Sequence, residues 1–240
     1  MAGYADQSRR RGARGYAICT SGRSGSNLFC QYLSSTGVLG HPLEYFNGAG
    51  RRLLGFPDYP DEPDEQIECV LTFGTGANGI YGLKLFPEQL ARVARSVRWT
   101  EQLPGLRFVL LERRDLVAQS VSWLRAEQTN RWRAGMAAQA PEVYDAGRIL
   151  DLLRRAARDN ARWRVFFARN DISPVIVAYE DLVASPQACV DRIARLFGLE
   201  GRAPIDASKV DLTIQRDALS AEWTARFIAE QRNLDELDEL

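Results

Sequence analysis

A chain of 240 residues is long enough to bury one sizeable core and does not require a second domain, so a single domain over 1–240 is expected. With 45% hydrophobic and 26% charged residues it has the composition of an ordinary globular protein. The 31 basic residues balance 31 acidic ones, which excludes an overall field toward nucleic acid or a membrane surface.

The opening stretch, 1–14, is polar and arginine-rich and reads as a tail without the apolar core of a signal peptide. No apolar run approaches the ~20 residues of a membrane span, and a cytoplasmic location is expected. Residues 15–20 (GYAICT) form a short apolar run that stops in a Ser/Gly cluster, the pattern of a buried strand. A helix follows over 26–36, with Leu28, Phe29, Tyr32 and Leu33 at helical spacing and Gly37 closing it. Residues 47–66, rich in Pro, Gly and Asp, read as a surface excursion. Strands are then predicted over 80–86, 107–112 and 174–179, and helices over 87–98, 115–133, 141–170, 185–198 and 220–234. The acidic end, 235–240, is expected to be a frayed helix end. Strands alternating with helices imply an α/β fold, a parallel β-sheet flanked by helices.

The sharpest local feature is TSGRSGSN, residues 20–27, between the first strand and the first helix. Its glycines let backbone approach an anion, and the following helix start offers unpaired N–H groups and a partial positive charge. Ser24, Ser26 and Asn27 add polar groups and Arg23 a planar cation, so the turn suits phosphate or sulfate; a Ser/Gly-rich surface turn is the plainer alternative. It is not a nucleoside-triphosphate loop of the form GxxxxGK[ST], because no lysine follows Gly25, nor does it supply GxGxxG. Arg113 and Arg114 stand where the third strand meets the next helix, the crevice in which open α/β sheets bind ligands, and Asp115 fits as that helix's N-cap.

The string CTSGRSGSNLFCQYLSSTGVLGHPLEYF resembles the opening of the bacterial trehalose 2-sulfotransferase-like family, a branch of the sulfotransferases that use 3′-phosphoadenosine 5′-phosphosulfate (PAPS). YGLKLF at 81–86, LLERRDLVAQSVSWLRAEQT at 110–129, VIVAYEDLVASP at 175–186 and QRDALSAEW at 215–223 match in order. The resemblance implies a P-loop-like sulfotransferase fold and sulfuryl transfer from PAPS to a hydroxyl of a small-molecule acceptor (carbohydrate, glycolipid or natural product), with 3′-phosphoadenosine 5′-phosphate (PAP) as product. It implies that Arg23, Ser24, Gly25, Ser26 and Asn27 hold the 5′-phosphosulfate and that Arg113 holds the 3′-phosphate. Ser120 or Ser122 would join Arg113, and Gln215 and Arg216 would lie on a second cofactor-gripping segment. The role of Arg114 stays open.

Glu44 matches the family's catalytic base, and the chemistry asks for one, because an alcohol attacks well only as its proton leaves. Arg23 and Lys84 would stabilise charge in a single in-line displacement that requires no metal. Gly22, His41, Glu44, Tyr45 and Phe46 are the expected acceptor contacts; Phe56, Tyr59 and Trp132 are further aromatics available for stacking, with core packing as the alternative for each. Gly22 and His41 depart from the residues of the trehalose enzyme and argue against trehalose itself. A P-loop-type small-molecule kinase and a nucleotide-binding protein without catalysis are the competing readings. The family includes dimers, and the aromatics permit a homodimer here.

His41 is the only histidine, and Cys19, Cys30, Cys69 and Cys189 show no CxxC spacing, so reduced thiols rather than a metal site are expected.

Overall fold

The computed structural model describes residues 12–130, 140–212 and 217–238. Four strands, β1 (Arg14–Thr20), β2 (Ile80–Leu85), β3 (Leu106–Glu112) and β4 (Val175–Ala178), form one sheet in the order β2-β1-β3-β4, every neighbour pair parallel. β1 and β2 read as nearly unbroken apolar runs because helices cover both faces, so neither face tolerates a polar alternation. The chain passes from β1 to β2 on one side and then crosses to β3 on the other. The carboxyl end of β1 is therefore a switch point at which a crevice opens.

Alternate β1 residues serve two cores. Ala17 and Cys19 pack with α3 (Pro63–Phe73), α4 (Pro87–Val93) and α7 (Ala146–Arg169) through Ile67, Val70, Val93, Trp163 and Phe167. Tyr16 and Ile18 face α1 (Ser26–Ser35) and α9 (Pro186–Arg195) through Phe29, Leu33, Val190 and Ile193. A third cluster joins α6 (Leu116–Thr129), α7 and α10 (Ala218–Gln231) around Leu124, Leu152 and Trp223.

The expected α/β class and the strand–turn–helix opening are present, with several boundaries moved. The supposed excursion at 47–66 carries α2 (Gly48–Leu53) and the first residues of α3, and it buries Tyr59 and Gln66. Asn47 caps α2 by accepting from the Gly50 N–H, a local signal that Gly/Pro content obscured. α4 ends at Val93, where Ser96 and Arg95 bond to carbonyls three residues back; α5 (Trp99–Gln102) is a separate turn. α7 starts only at Ala146, after the Asp145 cap, rather than at Pro141. β4 stops at Ala178 and Tyr179 opens α8 (Tyr179–Ala184), missed within the apolar run PVIVAY. α10 begins after the Asp217 cap and ends at Gln231, so residues 235–238 are not helical; Asp238 pairs with Arg154 on α7. Cys19, Cys30 and Cys189 are buried free thiols and Cys69 is half-buried. No described helix is long and apolar enough to cross a membrane.

Candidate active site at the end of strand one

The turn at 20–27 sits on the carboxyl end of β1 and is held from behind. Thr20 Oγ1 donates to the Leu111 carbonyl (2.9 Å) and lies 2.5 Å from Ser24 Oγ, while the Trp163 indole N–H donates to the Thr20 carbonyl (2.9 Å). Gln119 Nε2 donates to the Gly22 carbonyl (2.6 Å) and to Ser21 Oγ (3.0 Å). These bonds fix the turn on its buried side. Ser24 is wholly buried, so its hydroxyl ties the turn together.

The outer side faces the helix start. Gly25 takes φ +85°, and a Cβ there would come within 2.4 Å of the Tyr179 ring. Arg23 also adopts positive φ, +58°, a conformation that a non-glycine residue holds only when its surroundings enforce it. No side chain caps α1, and the first helical bond runs from the Phe29 N–H to the Gly25 carbonyl. The N–H groups of Ser26, Asn27 and Leu28 have no acceptor within the helix and present a partial positive charge.

Two arginines converge here. Arg23 Nε donates to Ser122 Oγ (3.1 Å). Burial, helped by the like charges of Arg113 and Arg125, pushes the Arg23 guanidinium down to about 10, so it stays charged at neutral pH but gains from a nearby anion. Arg113 leaves the end of β3 and stacks over the Tyr179 ring at 4.6 Å. That ring thus lies against both Arg113 and Gly25 and links the two sides of the crevice.

α6 supplies the wall. Gln119, Ser122 and Trp123 fall at i, i+3 and i+4 and share the face toward the turn. Ser120 does not share it: it is buried and its hydroxyl donates to the Leu116 carbonyl four residues back (2.7 Å). Gly22 has no room for a side chain, because a Cβ would meet the Trp123 ring at 2.5 Å.

Arg114, left open by the sequence, is exposed, and its Nη2 donates to both carboxylate oxygens of Asp181 (2.9 and 2.8 Å). Its N–H and that of Asp115 donate to the Glu180 carboxylate, while Asp115 accepts from the Ala118 N–H as the expected N-cap. Arg114 therefore braces α8 against the start of α6.

Glu44 is delivered by backbone pairing. The Lys84 N–H donates to the Leu43 carbonyl (2.8 Å) and Leu43 bridges Leu83, so 43–44 extend the sheet beside β2. In that register Glu44 and Lys84 stand side by side. Lys84 Nζ is 2.7 Å from Glu44 Oε1 and donates to Asn27 Oδ1 at 2.5 Å, joining the carboxylate to the first turn of α1. Asn47 Nδ2 (2.9 Å) and Gln89 Nε2 (3.3 Å) donate to Glu44 Oε2. Burial alone would raise the Glu44 pKa, but the Lys84 charge and these three donors outweigh it and hold the carboxyl below the usual range.

The remaining expected residues divide. Tyr45 and Phe46, expected as acceptor contacts, are both buried in the core, and the Tyr45 hydroxyl donates to the His41 carbonyl (2.8 Å). Tyr59 is likewise buried, donating to the Tyr45 carbonyl, and Phe56 lies beneath Arg51. The His41 side chain is exposed. Gln215, Arg216 and Trp132 lie outside the described residues. Sequence reasoning missed Gln119, Tyr179 and Gln89. Only the i, i+3, i+4 spacing of 119, 122 and 123 offered a signal, and it was unusable until the helix face was known.

Among the described residues no three His, Cys, Asp or Glu side chains gather as metal ligands. The side chains that converge on the crevice are cations and amides instead, and they suit an anion.

The comparisons with known proteins bear on the same residues. The Stf0 sulphotransferase model matches residues 15–230. The trehalose 2-sulfotransferase of Mycobacterium tuberculosis (strain ATCC 35801 / TMC 107 / Erdman) is 32% identical, over 93% of this chain and 98% of its own length. That of Mycolicibacterium smegmatis (strain ATCC 700084 / mc(2)155) is 27% identical, over 88% and 93%. Among solved structures, the sulfotransferase domain from the Synechococcus PCC 7002 olefin synthase matches with 17% identity and a TM-score of 0.41, covering 90% of this chain and 95% of that one. With nearly its whole length matched by one family model, from the first strand to the last helix, this chain belongs to the Stf0 sulphotransferase family.

Proposed function

We propose that this sulfotransferase moves the sulfuryl group of PAPS to a hydroxyl of a sugar-type acceptor in one in-line displacement, with Glu44 as general base. The observation that carries the reading is the Lys84 bridge, which sets a carboxylate one side chain away from an uncapped helix start. A base and an anion site so joined suit transfer from a bound donor to an incoming alcohol.

The turn at 20–27 fits a phosphosulfate: Gly25 holds the positive-φ bend before the uncapped helix start, Ser26 and Asn27 supply N–H groups, and Arg23 supplies charge. Arg113 over Tyr179 suits the 3′-phosphate, and the Arg23–Ser122 contact favours Ser122 over the buried Ser120 as its partner. Lys84, next to both groups, is positioned to offset negative charge on the departing phosphate oxygen. Glu44, ionised over the neutral range, accepts the proton of the attacking hydroxyl. The sugar class of acceptor follows from the names of the two mycobacterial relatives. Gly22, closed off by Trp123, and the exposed His41 support an acceptor other than trehalose.

Thermal unfolding with EDTA present tests the donor site. PAP at a hundred times its dissociation constant should raise the midpoint by roughly 5–10 °C. Stabilisation by ATP–magnesium in an EDTA-free control, and none by PAP, would overturn the proposal. Adenosine 5′-phosphosulfate binding as tightly as PAPS would remove Arg113 from the 3′-phosphate.

A further inference from the structure

The donors around Glu44 are divided unevenly between its two oxygens. A carboxylate has about four lone-pair sites to share between them. Oε2 accepts from both Asn47 Nδ2 (2.9 Å) and Gln89 Nε2 (3.3 Å), which fills its sites. Oε1 accepts from Lys84 Nζ (2.7 Å), and no other donor among the described residues reaches it. The Glu44 side chain is 25% exposed, which leaves the carboxylate open to an incoming hydroxyl.

Neither amide is free to turn over. Asn47 Oδ1 accepts from the Gly50 N–H (3.0 Å) as the cap of α2, so its NH2 must point the other way, at Glu44. Gln89 Oε1 accepts from the Phe86 N–H (3.1 Å) at the start of α4, which fixes its NH2 in the same manner. A flip of either amide would set donor against donor. Gly50 leaves room for this arrangement, because a Cβ there would meet Asn47 Nδ2 at 2.5 Å. Two helix starts thus aim their cap residues at one oxygen.

Among the described residues Lys84 is the one charge that acts on this carboxylate. From α1 only the neutral Asn27 joins the pair. On α4 Glu88 pairs with Arg155, and Arg92 donates to the Phe46 carbonyl. On α2 Arg51 stacks over Phe56, and Arg52 pairs with Asp61.

We propose that Asn47 and Gln89 are positioning residues of the base: they occupy Oε2 and leave Oε1, beside Lys84, as the oxygen that takes the acceptor's proton. The proposal rests on the reading of Glu44 as general base. In that step the acceptor O–H bond breaks, its proton passes to Oε1, and its oxygen bonds to sulfur. The bond from sulfur to the bridging oxygen of PAPS breaks in turn, and PAP leaves with the electron pair. A carboxylate held by three donors cannot rotate away from the attacking hydroxyl, so the two amides supply orientation.

The test titrates Glu44 directly by NMR of protein labelled with carboxyl-13C glutamate, its resonance identified as the one lost in Glu44→Gln. Asn47→Ser keeps a cap on α2 and removes the amide donor; it should raise the Glu44 pKa by roughly one unit, the loss of one bond to a charged group. Gln89→Met should shift it the same way and by less, since that bond is longer. Gly50→Ala touches neither partner but crowds the Asn47 amide and should also raise it. An unmoved pKa in both Asn47→Ser and Gly50→Ala would overturn the arrangement. Neutron diffraction from a deuterated crystal held below the Glu44 pKa reads the oxygen itself: a deuteron on Oε1 supports the assignment, and one on Oε2 overturns it. Neither measurement needs PAPS or an acceptor, so the amides can fail while the base reading stands. Full sulfuryl transfer by Glu44→Gln would instead end the base reading.

Discussion

The Lys84–Glu44 pair offers the most direct test of how the site is held together. Lys84 is a buried cation within the sheet, its side chain 4% exposed, whereas Glu44 is 25% exposed. Removing one member of a buried pair costs about 3–5 kcal/mol, because a charge is left without its partner. Glu44 retains Asn47 and Gln89 and some water, so Lys84→Met should cost less, about 2–3 kcal/mol. Glu44→Gln leaves the more deeply buried ammonium without a counter-charge, with only neutral amide oxygens to accept from it, and should cost at least as much. The double variant removes both charges and should cost no more than either single one, which gives a coupling of at least about 2 kcal/mol. Urea unfolding at pH 7.5, with matched m-values, measures all four corners of the cycle. The sign with pH follows from the lowered Glu44 pKa: the pair's stabilisation is complete above the ordinary glutamate range and fades as pH falls through the depressed value. Lys84→Met should flatten that acid dependence. Coupling below about 0.5 kcal/mol, or an acid dependence unchanged in Lys84→Met, would refute the reasoning.

Two further outcomes follow from the packing. Gly25→Ala should lower PAP stabilisation sharply, since the new methyl must displace the Tyr179 ring from under Arg113 while holding φ +85°; an unaltered PAP-induced shift in melting temperature would contradict the cradle. Asp159 is pushed from an ordinary 3.8 to about 6 by burial and then by the Glu88 charge. A raised carboxyl pKa weakens the fold as pH rises from about 4 through 6. Asp159→Asn should therefore gain on the order of 1–2 kcal/mol at pH 7.5 and nothing near pH 4; a gain equal at both pH values would exclude this cause.

How far the sequence could be read depended on the distance over which each signal acts. The first strand, glycine turn and helix were legible because their determinants lie within a few residues: an apolar run, Gly25 at the bend, helical spacing after it. The caps at Asp115 and the turn at Gly37 were legible for the same reason. The segment at 47–66 was not, because its helices are decided by Asn47 and by the burial of Tyr59 and Gln66 against distant residues, while its glycines and prolines signal a loop.

The site divides in the same way. Residues 20–27, Glu44, Lys84 and Arg113 could be picked out one at a time from the chain, and the family was carried by motifs strung along it in order. That Glu44 and Lys84 touch, forty positions apart, required the short pairing of 43–44 with β2. That Ser122 meets Arg23 while Ser120 bonds back to its own helix required knowing which face of α6 meets the turn, and the pairing of Arg114 with Asp181 required α8. The sequence alone determined the elements and the local turn chemistry, since those depend on near neighbours. Only the tertiary structure decided partners, burial and shared charge, because side chains far apart in the chain meet only once the sheet order has brought their strands together.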